Sequence, residues 1–241
     1  MTIASNLAEI HQRIAQAARR AGREPAGVVL MAVSKTHPAS AILEAIAAGQ
    51  TLFGENRVQE FAAKRDEVVA ASMAGMFHLI GHLQSNKAAK AVEFFRAVDS
   101  VDSLRLAERL NEAAARLGRH LSVLIEINVG GEAAKSGLAP DSAELFALLD
   151  AHPRLASLTI RGCMTVPPFT EDPEGARACF RRLRELRDQL RARSGLALPE
   201  LSMGMSHDFE VAIEEGSTCV RVGTAIFGSR TYPAPYEEPA P

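Results

Sequence analysis

The chain has 241 residues and a formal net charge of −2, with 27 lysines and arginines against 29 aspartates and glutamates, which argues against a nucleic-acid binder that works by charge alone. It shows no apolar signal-peptide core and no run near the roughly 18 apolar residues of a membrane span. Its three cysteines are far apart and form no C-x-x-C pair, so we expect a cytoplasmic protein without a disulfide framework or a cysteine-rich zinc site.

Short apolar strands and amphipathic helices alternate along the chain. A first helix carries Leu7, Ile10 and Ile14, with Asn6 and Glu9 as its predicted capping pair. Eight strands follow, separated by helical patterns, and their continuous apolar runs are typical of strands buried on both faces. The predicted strands cover residues 28–33, 51–53, 77–80, 96–98, 122–129, 158–160, 201–203 and 219–222.

Eight strands alternating with helices predict an α/β fold, a (β/α)₈ TIM barrel, here with an extra helix before the first strand. The alternative is a doubly wound sheet, which more usually has five or six strands. We expect a single domain over residues 1–231. Residues 232–241 contain prolines at 233, 235, 239 and 241, and this composition predicts a loose tail.

In such a barrel the chemistry lies at the C-terminal ends of the strands, and Lys35 follows the first of them. Partial desolvation there disfavours the ammonium form, and a neutral lysine amine is the group that forms Schiff bases with aldehydes. The alternative is a loop lysine whose amine reaches water.

A second candidate site follows strands seven and eight. Ser206 stands just before a short helix, and Gly223 and Thr224 follow the last strand. Barrels commonly bind phosphate with these two loops and with helix N-terminal N–H groups. The alternative is that Ser206 or Asp208 is only a helix N-cap.

Two histidines, His78 and His82, are four residues apart, but they flank a strand end and do not share a helix face. This spacing favours a hydrogen-bonding role for His82 over a metal site, and we predict no metal. A nucleotide or sugar-phosphate enzyme would need a pair of catalytic carboxylates at strand ends, and we find no such pair in the sequence.

Seven segments in chain order carry a resemblance to a known family: AVSKT at 32–36, FGENRVQE at 53–60, HLIGHLQSNK at 78–87, KSG at 135–137, GCMTV at 162–166, MGMSHDFEVAI at 203–213 and VRVGTAIFG at 220–228. Together they resemble the pyridoxal phosphate homeostasis protein family. Its members are single-domain proteins that bind pyridoxal 5′-phosphate (PLP) in an alanine-racemase-like barrel, PLP fold type III. The resemblance spans nearly the whole chain.

The resemblance implies specific cofactor contacts. It implies a PLP Schiff base on the lysine of the SKT motif, Lys35. It also implies phosphate contacts from Ser206 and from the backbone at Gly223 and Thr224.

Three further residues enter through the same resemblance. Arg221 resembles the racemase arginine that faces the pyridine nitrogen, and Asn56 and Met164 resemble residues of the pocket wall. The family often has a tyrosine where this chain has Arg57, which leaves open whether an aromatic contact is made there.

The resemblance also separates two functions. Proton transfer at a substrate carbon needs a second positioned acid or base, and the racemases take a tyrosine from a separate domain of a partner subunit. Here Tyr232 and Tyr236 lie in the predicted tail. We expect a monomer without catalytic residues that acts in PLP homeostasis by buffering PLP or delivering it to PLP-dependent apoenzymes. The alternative is a PLP-dependent racemase or lyase acting on an amino acid.

A glycine-containing segment, residues 130–137, follows the fifth strand and should lie at the same rim as Lys35. Lys135 is its one amine. We expect it to be a candidate relay that exchanges with Lys35 and eases release of PLP; the alternative is a solvated loop lysine.

Overall fold

The fold is a closed barrel of eight parallel strands in chain order, and β8 pairs with β1 to close it. The computed structural model describes residues 2–71, 76–132 and 136–228. The predicted (β/α)₈ barrel is confirmed, and the doubly wound sheet is wrong. The strands are β1 (Val29–Val33), β2 (Leu52–Glu55), β3 (Met76–Leu79), β4 (Ala97–Val101), β5 (Leu121–Glu126), β6 (Leu158–Met164), β7 (Glu200–Met205) and β8 (Cys219–Val222).

Helices connect the strands and cover the outside of the barrel. The α-helices are α1 (Ile3–Arg20), α2 (Ala39–Ala47), α3 (Val58–Ala71), α4 (Ala88–Phe94), α5 (Leu104–Arg116), α6 (Ala143–Asp150), α7 (Arg177–Ser194), α8 (Phe209–Glu214) and α9 (Thr224–Phe227). Within the described ranges, no helix combines the length and apolar character that crossing a membrane would require. The boundary at residue 231 stays a prediction, because residues 229–241 lie outside the described ones.

The extra N-terminal helix, α1, packs against α8 and α9. Its predicted cap is wrong: Thr2 is the N-cap, and its hydroxyl accepts a hydrogen bond from the Ser5 amide at 3.2 Å. Asn6 lies inside the helix instead, and its side-chain amide donates to the Ile226 carbonyl at 2.8 Å. A tertiary contact between α1 and α9 therefore uses the residue that local pattern assigned to capping.

The side chains of each strand alternate between two environments. On β8, Val220 and Val222 belong to the apolar core between strands and helices, so Cys219 and Arg221 face the barrel lumen. On β5 the same alternation places Ile125 in the apolar core between the strands and the helices. The lumen thus receives polar side chains near the C-terminal rim, where the candidate site residues lie.

Candidate functional site

Lys35 lies two residues beyond β1 and is half-buried. The next residue, Thr36, has a φ of 66°, in the left-handed region that β-branched residues rarely adopt. Its amide donates a hydrogen bond to Glu60 Oε1 on α3 at 2.5 Å. Side-chain contact with α3 therefore holds an uncommon backbone conformation beside Lys35.

A buried ion pair lies behind the same loop. Lys64 of α3 places its Nζ 2.8 Å from Glu55 Oε1, and the two side chains are 10% and 0% exposed. The same Nζ donates to the carbonyl oxygens of Ser34 at 3.0 Å and His37 at 3.1 Å. Lys64 thus binds the backbone on both sides of Lys35. Burial raises the pKa of Glu55, while Lys64 acts in the opposite direction.

The loop after β7 forms a tight turn that carries Ser206. Asp208 Oδ1 accepts a hydrogen bond from the Met205 amide at 2.6 Å, and the Asp208 amide donates to the Met205 carbonyl at 3.1 Å. Gly204 has a φ of 94°, and a Cβ there would lie 2.5 Å from the Cβ of Ala212. Only glycine at this position lets α8 pack this close to β7.

The loop after β8 lies against both the Ser206 turn and β1. The Gly223 amide donates to Ser206 Oγ at 3.3 Å. A Cβ on Gly223 would lie 3.2 Å from the carbonyl oxygen of Val33, which is two residues before Lys35. Thr224, the first residue of α9, is exposed. The predicted lysine and the predicted phosphate contacts therefore meet at one sector of the rim.

Arg221 is 4% exposed and points from β8 into the lumen. Its Nη1 donates to Ser202 Oγ and its Nη2 to the Thr165 carbonyl, both at 2.7 Å. Burial lowers the pKa of the guanidinium, although it stays protonated at neutral pH. The lumen thus holds a fixed cation at the depth of the strand ends.

The remaining predicted residues lie at the same level of the barrel. Val33 pairs with Gly54, so Asn56 follows β2 at the height where Lys35 follows β1. Asn56 is half-buried, whereas Arg57 is exposed. Met164 is fully buried at the end of β6. These positions fit the predicted pocket wall, and the contacts with a cofactor stay predictions.

Each of the two histidines contacts a different aspartate. His82 Nδ1 lies 2.9 Å from Asp102 Oδ2 at the rim, and His78 Nδ1 lies 3.2 Å from Asp99 Oδ2. His82 therefore makes a side-chain hydrogen bond, as the spacing favoured. In the part of the chain that the structure describes, no group of three or more potential ligands is placed to hold a metal ion. Lys135, the candidate relay, lies outside the described residues.

Glu126 is a lumen residue that was not among the candidate site residues predicted from the sequence. It ends β5, pairs with Met164 of β6 and is 7% exposed. Burial, together with the charge of Asp102, raises the pKa of Glu126 to about 7 against the opposing effect of Arg221. The signal was present: an acidic residue between Ile125 and Ile127 in a buried strand must face away from the apolar core.

Comparison with known proteins decides the family. The alanine racemase N-terminal domain family matches residues 5–231. A pyridoxal phosphate homeostasis protein of Pseudomonas aeruginosa is 48% identical over 234 residues, 97% of this chain and 98% of that protein. The chain belongs to the pyridoxal phosphate homeostasis protein family. A family member from Aquifex aeolicus is 43% identical, with 96% of this chain and all of that protein covered.

Solved structures agree with this family membership. PipY of Synechococcus elongatus, solved with PLP bound, has a TM-score of 0.82 and 42% identity, covering 94% of this chain and 100% of that one. An alanine racemase of Clostridium difficile is 16% identical with a TM-score of 0.68, covering 97% of this chain and 58% of its own, and shows a shared fold. The predicted family and the alanine-racemase-like barrel are confirmed.

Proposed function

We propose that this protein binds PLP through Lys35 and acts in PLP homeostasis, either by buffering the cofactor or by delivering it to PLP-dependent apoenzymes. The approach of Gly223 to the Val33 carbonyl carries the proposal, because it brings the Ser206 turn next to the loop of Lys35. An amine and a set of N–H and hydroxyl groups at one rim suit an aldehyde that carries a phosphate. The names of the relatives support the same function.

The residues present fit PLP. When bound, PLP supplies an aldehyde that condenses reversibly with a lysine amine and a ring that withdraws electrons. Arg221 has five N–H donors, and its two hydrogen bonds to Ser202 and Thr165 leave others for an acceptor in the lumen. Ser206 can donate its hydroxyl hydrogen to a phosphate oxygen, beside the amides of Gly223 and Thr224.

Side chains of α3 hold the backbone on both sides of Lys35. Lys64 and Glu60 hold the backbone at 34–37, so the main chain that carries Lys35 is already ordered and loses less entropy on binding. Arg221 is cationic and therefore opposes protonation of a ring nitrogen that faces it. A ring kept neutral withdraws electrons more weakly than a pyridinium, as in the racemases whose arginine Arg221 resembles.

The alternative function is a PLP-dependent racemase or lyase. The observation in its favour is Glu126, a buried acid in the lumen whose pKa of about 7 suits proton transfer near neutral pH. We place homeostasis first, because the relatives that cover nearly the whole chain carry that name. Turnover of amino acids by the PLP-loaded protein would support the enzyme instead.

Two further features belong to the proposal. Delivery to apoenzymes requires the protein to share their compartment, so we place its action in the cytoplasm. We propose that it acts as a monomer, since the candidate site is assembled from the loops of one barrel.

The experiment is a PLP titration followed by borohydride reduction and peptide mapping. The chain has five candidate lysines: Lys35, Lys64, Lys87, Lys90 and Lys135. We expect a visible absorbance band that reduction removes, with the label on Lys35. Lys35→Ala should abolish the band and Lys90→Ala, at an exposed position, should not. A label on another lysine would refute the assignment, and absence of any band would refute PLP binding.

A further inference from the structure

Glu126 has a buried oxygen without a hydrogen-bond partner. Its neighbours Ile125 and Ile127 belong to the apolar core, so the Glu126 side chain faces the lumen. Among the described residues, Oε2 of Glu126 accepts or donates no hydrogen bond. A buried carboxyl oxygen left unpaired is costly in a folded protein, and it marks a place where a ligand can supply the missing contact.

The charged groups around Glu126 come from three sides of the barrel. Asp102 follows β4, His82 follows β3, and Arg221 lies on β8. From β6 the paired residue is Met164, which carries no charge. The Nη1 and Nη2 atoms of Arg221 donate hydrogen bonds to Ser202 and to Thr165, so the arginine acts on Glu126 as a nearby charge and not through either of these bonds.

These influences oppose one another, and their net effect favours the neutral carboxyl. Burial and the charge of Asp102 favour the neutral carboxyl, while Arg221 and His82 favour the carboxylate. His82 is itself hydrogen-bonded to Asp102. The pKa of Glu126 is therefore about 7, and a modest change of charge in the lumen is enough to add or remove its proton.

We propose that Glu126 is a further residue of the cofactor pocket, that it is neutral when a phosphorylated aldehyde fills the pocket, and that filling the empty pocket therefore takes up a proton. This inference rests on the proposed function. A phosphate brought into the rim adds negative charge at the same end of the barrel as this poorly solvated carboxyl, and like charges disfavour its ionised form. The neutral carboxyl gains an O–H donor, which can satisfy an acceptor on the ligand.

The linkage has a definite direction. Where Glu126 of the empty protein is ionised, binding must include protonation, so affinity falls as pH rises above about 7. The limit is a tenfold loss of affinity for each pH unit, which corresponds to one proton taken up per cofactor bound. The protein then holds its cofactor more tightly under slightly acidic conditions and releases it more readily as pH rises.

The test measures PLP affinity and proton uptake. PLP would be titrated by absorbance from about pH 6 to about pH 8.5, and calorimetry in two buffers of different ionisation enthalpy would count the protons. PLP itself titrates in this range, so the quantity that matters is the difference between wild type and Glu126→Gln, which keeps the shape of the side chain and has no proton to gain.

We expect Glu126→Gln to take up fewer protons than wild type and to bind PLP about tenfold more tightly than wild type at one unit above pH 7. Glu126→Asp keeps a titratable carboxyl and should keep the proton uptake, which guards against a Gln variant that misfolds. Glu67→Gln makes the same charge change on the exposed surface of α3 and should match wild type.

The outcomes separate the two proposals. Equal proton uptake and parallel affinity profiles in wild type and Glu126→Gln would overturn the role of Glu126 and leave PLP binding standing. No PLP binding by wild type at any pH would overturn the proposed function, and the inference with it. Pyridoxal, which lacks the phosphate, should show a smaller difference between the two proteins; an equal difference would contradict the phosphate as the cause.

Discussion

Replacing Lys64 with methionine tests whether the buried ion pair holds the lysine loop. Methionine keeps an unbranched stem of similar length and removes the charge. The substitution leaves Glu55, which is 0% exposed, without its counter-charge at 2.8 Å, and it deletes the hydrogen bonds to the carbonyls of Ser34 and His37. We therefore expect both a loss of stability and a less ordered backbone at Lys35.

The size of the effect follows from burial. Removing one partner of a buried pair costs about 3–5 kcal/mol, because the remaining charge stays desolvated. For a chain of this size each kcal/mol lowers the thermal midpoint by about 2–4 °C, which gives a drop of roughly 6–20 °C. Lys90→Met is the control, since Lys90 pairs with Glu93 at the surface, both about half exposed, and exposed pairs contribute about 0–1 kcal/mol.

The assay is thermal and urea denaturation of the cofactor-free protein at neutral pH. The double variant Glu55→Gln, Lys64→Met leaves no unpaired charge at this position, so it should recover most of the stability that Lys64→Met loses. The reasoning is refuted if Lys64→Met is no less stable than Lys90→Met. It is also refuted if the double variant loses at least the sum of its two single variants.

Three other changes address the site. Ser206→Ala should weaken PLP binding by about 1.5–3 kcal/mol and pyridoxal binding less, because only PLP carries the phosphate; titration of both compounds measures this, and equal losses would count against a phosphate contact. For Glu126, a pKa of about 7 against an ordinary 4.5 means that the fold favours the neutral form, so stability is lost as pH rises from about 4.5 through about 7. Glu126→Gln avoids this loss, so the cofactor-free variant should exceed wild type by up to about 3 kcal/mol near pH 8 and match it near pH 4, with urea midpoints as the measurement and parallel pH profiles as the contrary result. Lys135→Ala should slow transfer of PLP to an apoenzyme without changing occupancy of Lys35, and unchanged transfer would count against the relay.

Local pattern was enough to locate most of the strands and helices. Hydrophobic period and turn residues predict elements from neighbouring positions, so β1 and β8 were found within one residue of their observed bounds. The ends of β2, β4, β5, β6 and β7 were less well predicted. β2 and β6 continue to Glu55 and Met164 beyond their apolar runs, because pairing with neighbouring strands extends them. Helix capping at Thr2 was missed because the competing Asn6 makes a contact 220 residues away.

The sequence by itself determined the barrel and placed Lys35 at a strand end, since an alternation of eight strands and helices has few closed solutions and Lys35 directly follows an apolar run. The tertiary structure alone decided how residues from distant strands meet. No local sequence pattern indicates that Lys64 binds the backbone beside Lys35. In the sequence, Glu126 is a single acidic residue within an apolar strand. Only closure of the barrel turns Glu126 toward Arg221, 95 positions later in the chain (221 − 126 = 95). Electrostatic balance in a lumen depends on distance and burial, and neither is a property of neighbouring residues in sequence.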